Sequence, residues 1–162
     1  MDDEMRSLEK NDTWVLTELT AGKRALLNKW VFRIKTEPYG KRMFKDRLMV
    51  KGYSQRKGID YAKIFSSAVK LTSIRIMLSV VASDNLHLEQ MDVKTAFLHG
   101  DLDKEIYMQQ PEGFVVPGKE HMGCKLTRSV YGLKQAPRQW YKKFDSFMIK
   151  SGFCKAEKDP CC

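Results

Sequence analysis

Leu86-His87-Leu88-Glu89-Gln90-Met91-Asp92-Val93-Lys94-Thr95-Ala96-Phe97-Leu98-His99-Gly100 is the stretch on which the fold turns. Leu86, Leu88 and Met91 mark a buried strand over Leu86 to Val93, running into Asp92. A carboxylate at the end of a buried strand is a position from which an enzyme can hold a cation. It is equally a position from which an aspartate caps the turn Lys94-Thr95-Ala96. Immediately upstream, Ile74, Met77, Leu78 and Val81 repeat at helical spacing, with Thr72 or Ser73 as the cap and Asp84-Asn85 as the end.

Further toward the N-terminus the period changes. Lys29 to Lys35 alternates Trp30, Phe32 and Ile34 with charged or polar neighbours, as a half-buried strand does. Pro38-Tyr39-Gly40 supplies a turn and Met43 to Lys51 returns, so the two runs form a basic antiparallel hairpin. Before them lie a short polar helix, Met1 to Lys10, with Met5 and Leu8 on one face, and a strand at Thr13-Trp14-Val15-Leu16. Downstream, Ile106 to Met108 and Cys124 to Leu126 form a shorter strand pair around a Pro/Gly-rich loop. Pro137 opens a last helix to about Lys150, with Trp140, Phe144, Phe147 and Met148 on its apolar side. Strands and helices are mixed without strict alternation, so the class is α+β.

Composition narrows the function. Twenty-nine Lys and Arg against twenty Asp and Glu give a net charge of +9, which favours polyanionic partners such as nucleic acid. No apolar run is long enough to cross a membrane, and the acidic start Met1-Asp2-Asp3-Glu4 is unlike a secretory leader; an intracellular protein, cytoplasmic or nuclear, is expected. Cys124, Cys154, Cys161 and Cys162 make no C-x-x-C pair and no zinc pattern with the three histidines, so reduced thiols are expected.

Three blocks carry a resemblance. They are Asp92 to Gly100 (DVKTAFLHG), Tyr107-Met108-Gln109-Gln110-Pro111-Glu112-Gly113-Phe114, and Tyr131-Gly132-Leu133-Lys134-Gln135-Ala136-Pro137-Arg138. With Ser7-Leu8, Asn11, Thr13-Trp14, Lys29-Trp30-Val31-Phe32, Lys51-Gly52-Tyr53-Ser54-Gln55, Gly58-Ile59-Asp60-Tyr61 and Thr72-Ser73-Ile74-Arg75, they follow in order the blocks of Copia-type retrotransposon reverse transcriptases. The chain resembles that family over nearly its whole length. The resemblance implies the fingers and palm of a right-hand polymerase, with about 1–85 mostly fingers and about 86–162 the first part of the palm with interleaved fingers.

It also implies roles. Asp92 would be the first metal-binding carboxylate, assisted by the Val93 carbonyl, and the metal would be Mg2+. Phe97 would face the sugar of the incoming nucleotide and leave no room for a ribose 2′-hydroxyl; from the residues alone it reads equally as a core ring. At Tyr131-Gly132 the backbone would pass close beneath the nucleotide, which glycine permits. Lys45 and Arg47 in the hairpin are the candidates for gripping the triphosphate. Lys134, Arg138 and Lys142, four apart, form a basic stripe that reads either as a template contact or as a solvated helix face. Partners would be an RNA or DNA template-primer and deoxynucleotides.

Three departures stand against full activity. Asp46 replaces an alanine of the family pattern between Lys45 and Arg47, where it is expected to weaken a phosphate grip. Ser67-Ala68 replaces Pro-Val. The family's Tyr-x-Asp-Asp is missing, since the single Asp-Asp pair is Asp2-Asp3. The chain is therefore expected to be an N-terminal reverse transcriptase fragment that is inactive alone and marginal or aggregation-prone, exposing strand edge and apolar faces. The alternatives are a non-catalytic nucleic-acid-binding module and a retroelement relic.

Overall fold

In the computed structural model, residues 1–36, 40–157, 159 and 161 are described. The expected turn at Pro38-Tyr39-Gly40 lies outside them apart from Gly40, as do Pro160 and Cys162 of the closing segment. Among the described residues the architecture is α+β, with three α-helices and two small sheets.

Helix α1 (Asp2–Lys10) carries three acids in its first turn and Lys10 in its last, matching the helix dipole at both ends. It buries Met5 and Leu8. Asn11 closes it by donating from Nδ2 to the Ser7 carbonyl at 2.7 Å, and Thr13 Oγ1 donates to the Leu8 carbonyl at 2.6 Å. The chain then enters β1 (Trp14–Thr17). A short strand not expected from the sequence, β2 (Ala25–Leu26), precedes the long hairpin of β3 (Asn28–Thr36) and β4 (Arg42–Val50). Strands β5 (Tyr107–Met108) and β6 (Gly123–Leu126) complete the first sheet in the order β1-β6-β5-β2, antiparallel except for the β2–β5 pair. The hairpin is a separate two-stranded sheet with Trp30 opposite Leu48 and Val31 opposite Arg47.

The core gathers at the base of the hairpin. Met5 and Leu8 meet Leu26, Leu48, Val50, Leu98, Ile106, Met108, Cys124, Leu126, Val130, Leu133 and Ala136. Burial pushes the Cys124 thiol up to about 12, so it is a small apolar core residue at neutral pH. Cys124 is buried and Cys154 exposed, and neither is in a disulfide among the described residues. The Q-P-E-G-F block closes one side: Trp30 donates from Nε1 to the Glu112 carbonyl at 3.0 Å, and its ring stands 5.7 Å from Phe114.

Several expectations need correction. Residues 86–93 are not a strand, and Leu86, Leu88, Met91 and Val93 are exposed. A strand is held by its neighbour's ladder, and no strand among the described residues lies beside this one. Asp92 is therefore exposed rather than at the end of a buried strand. Helix α2 (Leu71–Ser83) forms as expected, but none of its residues is buried. Its N-terminus is served from the far end of the chain rather than by Thr72 or Ser73. Asp159 Oδ2 accepts from the Lys70 N–H at 2.9 Å and from Ser73 Oγ at 2.6 Å. Helix α3 (Ala136–Lys150) starts beside Pro137 as expected but buries Ala136 and Gln139, leaving Phe144 and Phe147 exposed. The hairpin alternation is buried only at its base, because Phe32, Ile34 and Phe44 project beyond the core.

Candidate nucleotide-facing site

Strand alternation sorts the hairpin's side chains. Register places Val31 opposite Arg47 and Arg33 opposite Lys45, so these share one face with Lys29 and Lys35. Like charges directly opposed across a ladder are destabilising, and among the described residues neither Arg33 nor Lys45 forms an ion pair. The opposite face carries Asp46, across from Phe32. Asp46 therefore does not sit between Lys45 and Arg47, as a linear reading suggests. It pairs with the Met1 amino group, whose hydrogen bond holds its carboxyl below the usual range.

Arg47, half-buried near the base, lays its guanidinium over the Tyr131 ring, with Cζ 5.1 Å from the centroid. The Phe97 ring centroid stands 5.3 Å from that of Tyr131, with the planes inclined at 64° in an edge-type contact. Two rings and a guanidinium thus form a partly exposed wall built from three distant segments. Burial raises the Tyr131 phenol above its ordinary value; Arg47 opposes this, and the carboxylates of Glu4 and Asp92 add to it. Glu4 of α1 is itself raised, by burial first, with the Leu48 N–H and the Arg47 charge acting against it.

The backbone beneath Tyr131 is fixed by close approach. The Val50 N–H donates to the Tyr131 carbonyl at 2.8 Å. Gly132, at φ +91°, presses against Val50, where a Cβ would stand 2.1 Å from the carbonyl oxygen. A Cβ on Gly52 would stand 2.0 Å from the Gly132 oxygen. Gly132 is needed here for contact with protein backbone, whatever else passes over it. The turn leading into Phe97 is also constrained. Thr95 is left-handed at φ +54°, and Leu98 N–H closes on the Thr95 carbonyl at 2.8 Å.

The basic stripe does not form a free surface. Lys134 Nζ donates to the Gln55 carbonyl at 3.3 Å and lies over Tyr61; Arg138 donates to the Phe65 carbonyl at 2.9 Å; Lys142 pairs with Asp103 at 3.1 Å. Among the described residues no three His, Cys, Asp or Glu gather to hold a metal. Mg2+ is commonly held by one or two carboxylates, with water and substrate phosphates completing its octahedral shell. The exposed Asp92 carboxylate and the adjacent Val93 carbonyl are oxygen donors of that kind.

Sequence reasoning missed Gln55, Gln135 and Glu4. Gln55 and Gln135 are buried in a polar stretch that reads as loop; the signal available was their recurrence inside the K-G-Y-S-Q and Y-G-L-K-Q blocks.

A family model described as Reverse transcriptase (RNA-dependent DNA polymerase) matches residues 11–160, and the chain belongs to that family. Within it the chain is of the Copia type. It is 60% identical over 162 residues to the Retrovirus-related Pol polyprotein from transposon TNT 1-94 of Nicotiana tabacum, covering 99% of this chain and 12% of that protein. The polyproteins from transposons RE1 and RE2 of Arabidopsis thaliana are 38% and 39% identical over 161 residues, 98% of this chain and 11% of each. The chain therefore spans about a tenth of the length of these relatives. No solved structure matches. No helix among the described residues is long and apolar enough to cross a membrane.

Proposed function

We propose that this chain is the part of a retrotransposon RNA-directed DNA polymerase that receives the incoming deoxynucleotide, comprising fingers and the first part of the palm. The observation that carries the reading is the convergence of Arg47, Tyr131 and Phe97 at 5.1 and 5.3 Å from segments up to 84 positions apart. Arg47, with Lys45 on the same face, supplies positive charge for a triphosphate. Phe97 supplies a rigid ring against which a 2′-hydroxyl would collide. Tyr131 holds the two in register.

Asp92, exposed and five positions before Phe97, would offer an oxygen to Mg2+ when the metal is bound. One exposed carboxylate with an adjacent carbonyl does not complete a two-metal centre, so the chain alone is expected to bind nucleotide without extending a primer. The basic hairpin face supports template-primer as the second partner.

The test is titration of the chain with dTTP and Mg2+. Arg47→Ala should weaken binding by roughly 10- to 100-fold, the worth of one charge-assisted contact. Unchanged affinity in Arg47→Ala, or no binding by the parent chain, refutes the reading.

A further inference from the structure

We infer that Gln55 is a positioning residue, clamping the Tyr131–Gln135 loop to the end of β4 so that the Tyr131 ring is held between Arg47 and Phe97. Its meaning for nucleotide binding rests on the function proposed above; its geometry does not.

Gln55 is buried at 5% exposure and Gln135 at 3%. Gln55 Oε1 accepts from the Lys134 N–H at 2.8 Å, and its Nε2 donates to Gln135 Oε1 at 3.0 Å. Gln135 Nε2 passes the connection on to the Asp60 carbonyl at 3.1 Å. Lys134 Nζ returns to the Gln55 carbonyl. The G-Y-S-Q and G-I-D-Y segments thus clasp the Y-G-L-K-Q loop by polar contacts across about 80 positions of sequence. Next to this network the Val50 N–H and the Gly52–Gly132 contact set the loop's distance from β4.

Burying two primary amides is costly unless their hydrogen bonds are made, and apolar residues of similar size would fill the space more cheaply. What an apolar pair would lose is direction: nothing would fix the rotation of the loop that carries Tyr131. Gln55 contacts none of Arg47, Tyr131 or Phe97 by hydrogen bond, so it acts on the ring only through Lys134 and the loop.

The test follows the Tyr131 phenol by carbon-13 tyrosine NMR, with Tyr131→Phe identifying its signal. In the parent chain burial keeps the phenol titrating above the ordinary tyrosine range. Gln55→Leu should let the ring leave its seat, moving the midpoint down toward the ordinary range, and should weaken dTTP binding about tenfold. Gln55→Glu, which retains the acceptor for the Lys134 N–H, should restore most of the parent midpoint. If Gln55→Leu does not fold, Gln55→Asn keeps the amide but retracts it, and the same downward shift is expected. A folded Leu or Asn variant whose Tyr131 midpoint matches the parent, however much its unfolding midpoint has fallen, makes Gln55 merely structural and overturns the inference. A parent chain that binds no dTTP defeats the nucleotide reading, while the Tyr131 titration still decides the positioning role.

Discussion

Replacing Gly52 with alanine adds one methyl group where two backbones touch. Gly52 has no positive φ, so alanine suits its own conformation and the effect is purely steric. The new Cβ would stand 2.0 Å from the Gly132 carbonyl oxygen, and contacts below 3.0 Å are essentially never seen. The neighbour is backbone, so no side chain can swing away, and the two segments must part by about 1 Å. That movement stretches the 2.8 Å bond from the Val50 N–H to the Tyr131 carbonyl beyond useful length. Overpacking costs roughly 1–3 kcal/mol, and the lost hydrogen bond about 0.5–1.5 kcal/mol more. A total of about 2–4 kcal/mol is large for a chain in which no residue of α2 is buried and Phe144 and Phe147 are exposed. Urea unfolding followed by tryptophan fluorescence, in osmolyte-stabilised buffer, measures it. Gly58→Ala is the comparison, since Gly58 has φ +84° and open space, and only the backbone term of about 1–2 kcal/mol applies. If Gly52→Ala unfolds within about 0.5 kcal/mol of the parent, the close approach of β4 and the Tyr131 loop is wrong.

Asp159 gives a prediction in pH. Its carboxyl is held down to about 2, first by the Ser73 hydroxyl and then by the Lys70 N–H. A depressed folded pKa means stability present above pH 4 and lost as pH falls toward 2. Asp159→Asn should therefore lower the melting temperature and α2 helicity at pH 7, with the deficit narrowing below pH 4; a deficit independent of pH would discount the cap. Thr95 is β-branched and left-handed, so Thr95→Gly should relieve about 1–2 kcal/mol of strain against about 0.4–1 kcal/mol of added chain entropy. The net gain, about 0.5–1 kcal/mol, should appear in urea unfolding, whereas Thr95→Ala, still left-handed, should show none; a gain for both, or a loss for Thr95→Gly, contradicts it.

The elements that were legible in the sequence are those whose partners lie close in the chain or whose period is long. Helices α1 and α3, the β3–β4 hairpin and the β5–β6 pair all have such signals. Residues 86–93 show the limit of pattern reading. Their apolar side chains record that one face is fit for burial, but a strand exists only where another supplies its ladder. Strand β2 was missed because two residues carry no period. For the site, Arg47, Phe97, Tyr131 and Gly132 were named from family blocks, and Arg47, Phe97 and Tyr131 are brought together while Lys45 lies exposed on the same strand face. Asp46 lies on the strand face opposite Lys45 and Arg47, because neighbours along a strand point to opposite faces. Gln55 and Gln135 escaped because an amide's burial depends on contacts some 80 positions away, which local composition does not encode.

The central claim, that Arg47, Tyr131 and Phe97 form a seat for a deoxynucleoside triphosphate, is tested most directly by titrating the chain with dATP and with ATP, each with Mg2+. Tighter binding of dATP, with the preference lost in Phe97→Ala while Arg47→Ala weakens both nucleotides alike, is the predicted result. Equal binding of dATP and ATP by the parent chain, or a preference that survives Phe97→Ala, would contradict it.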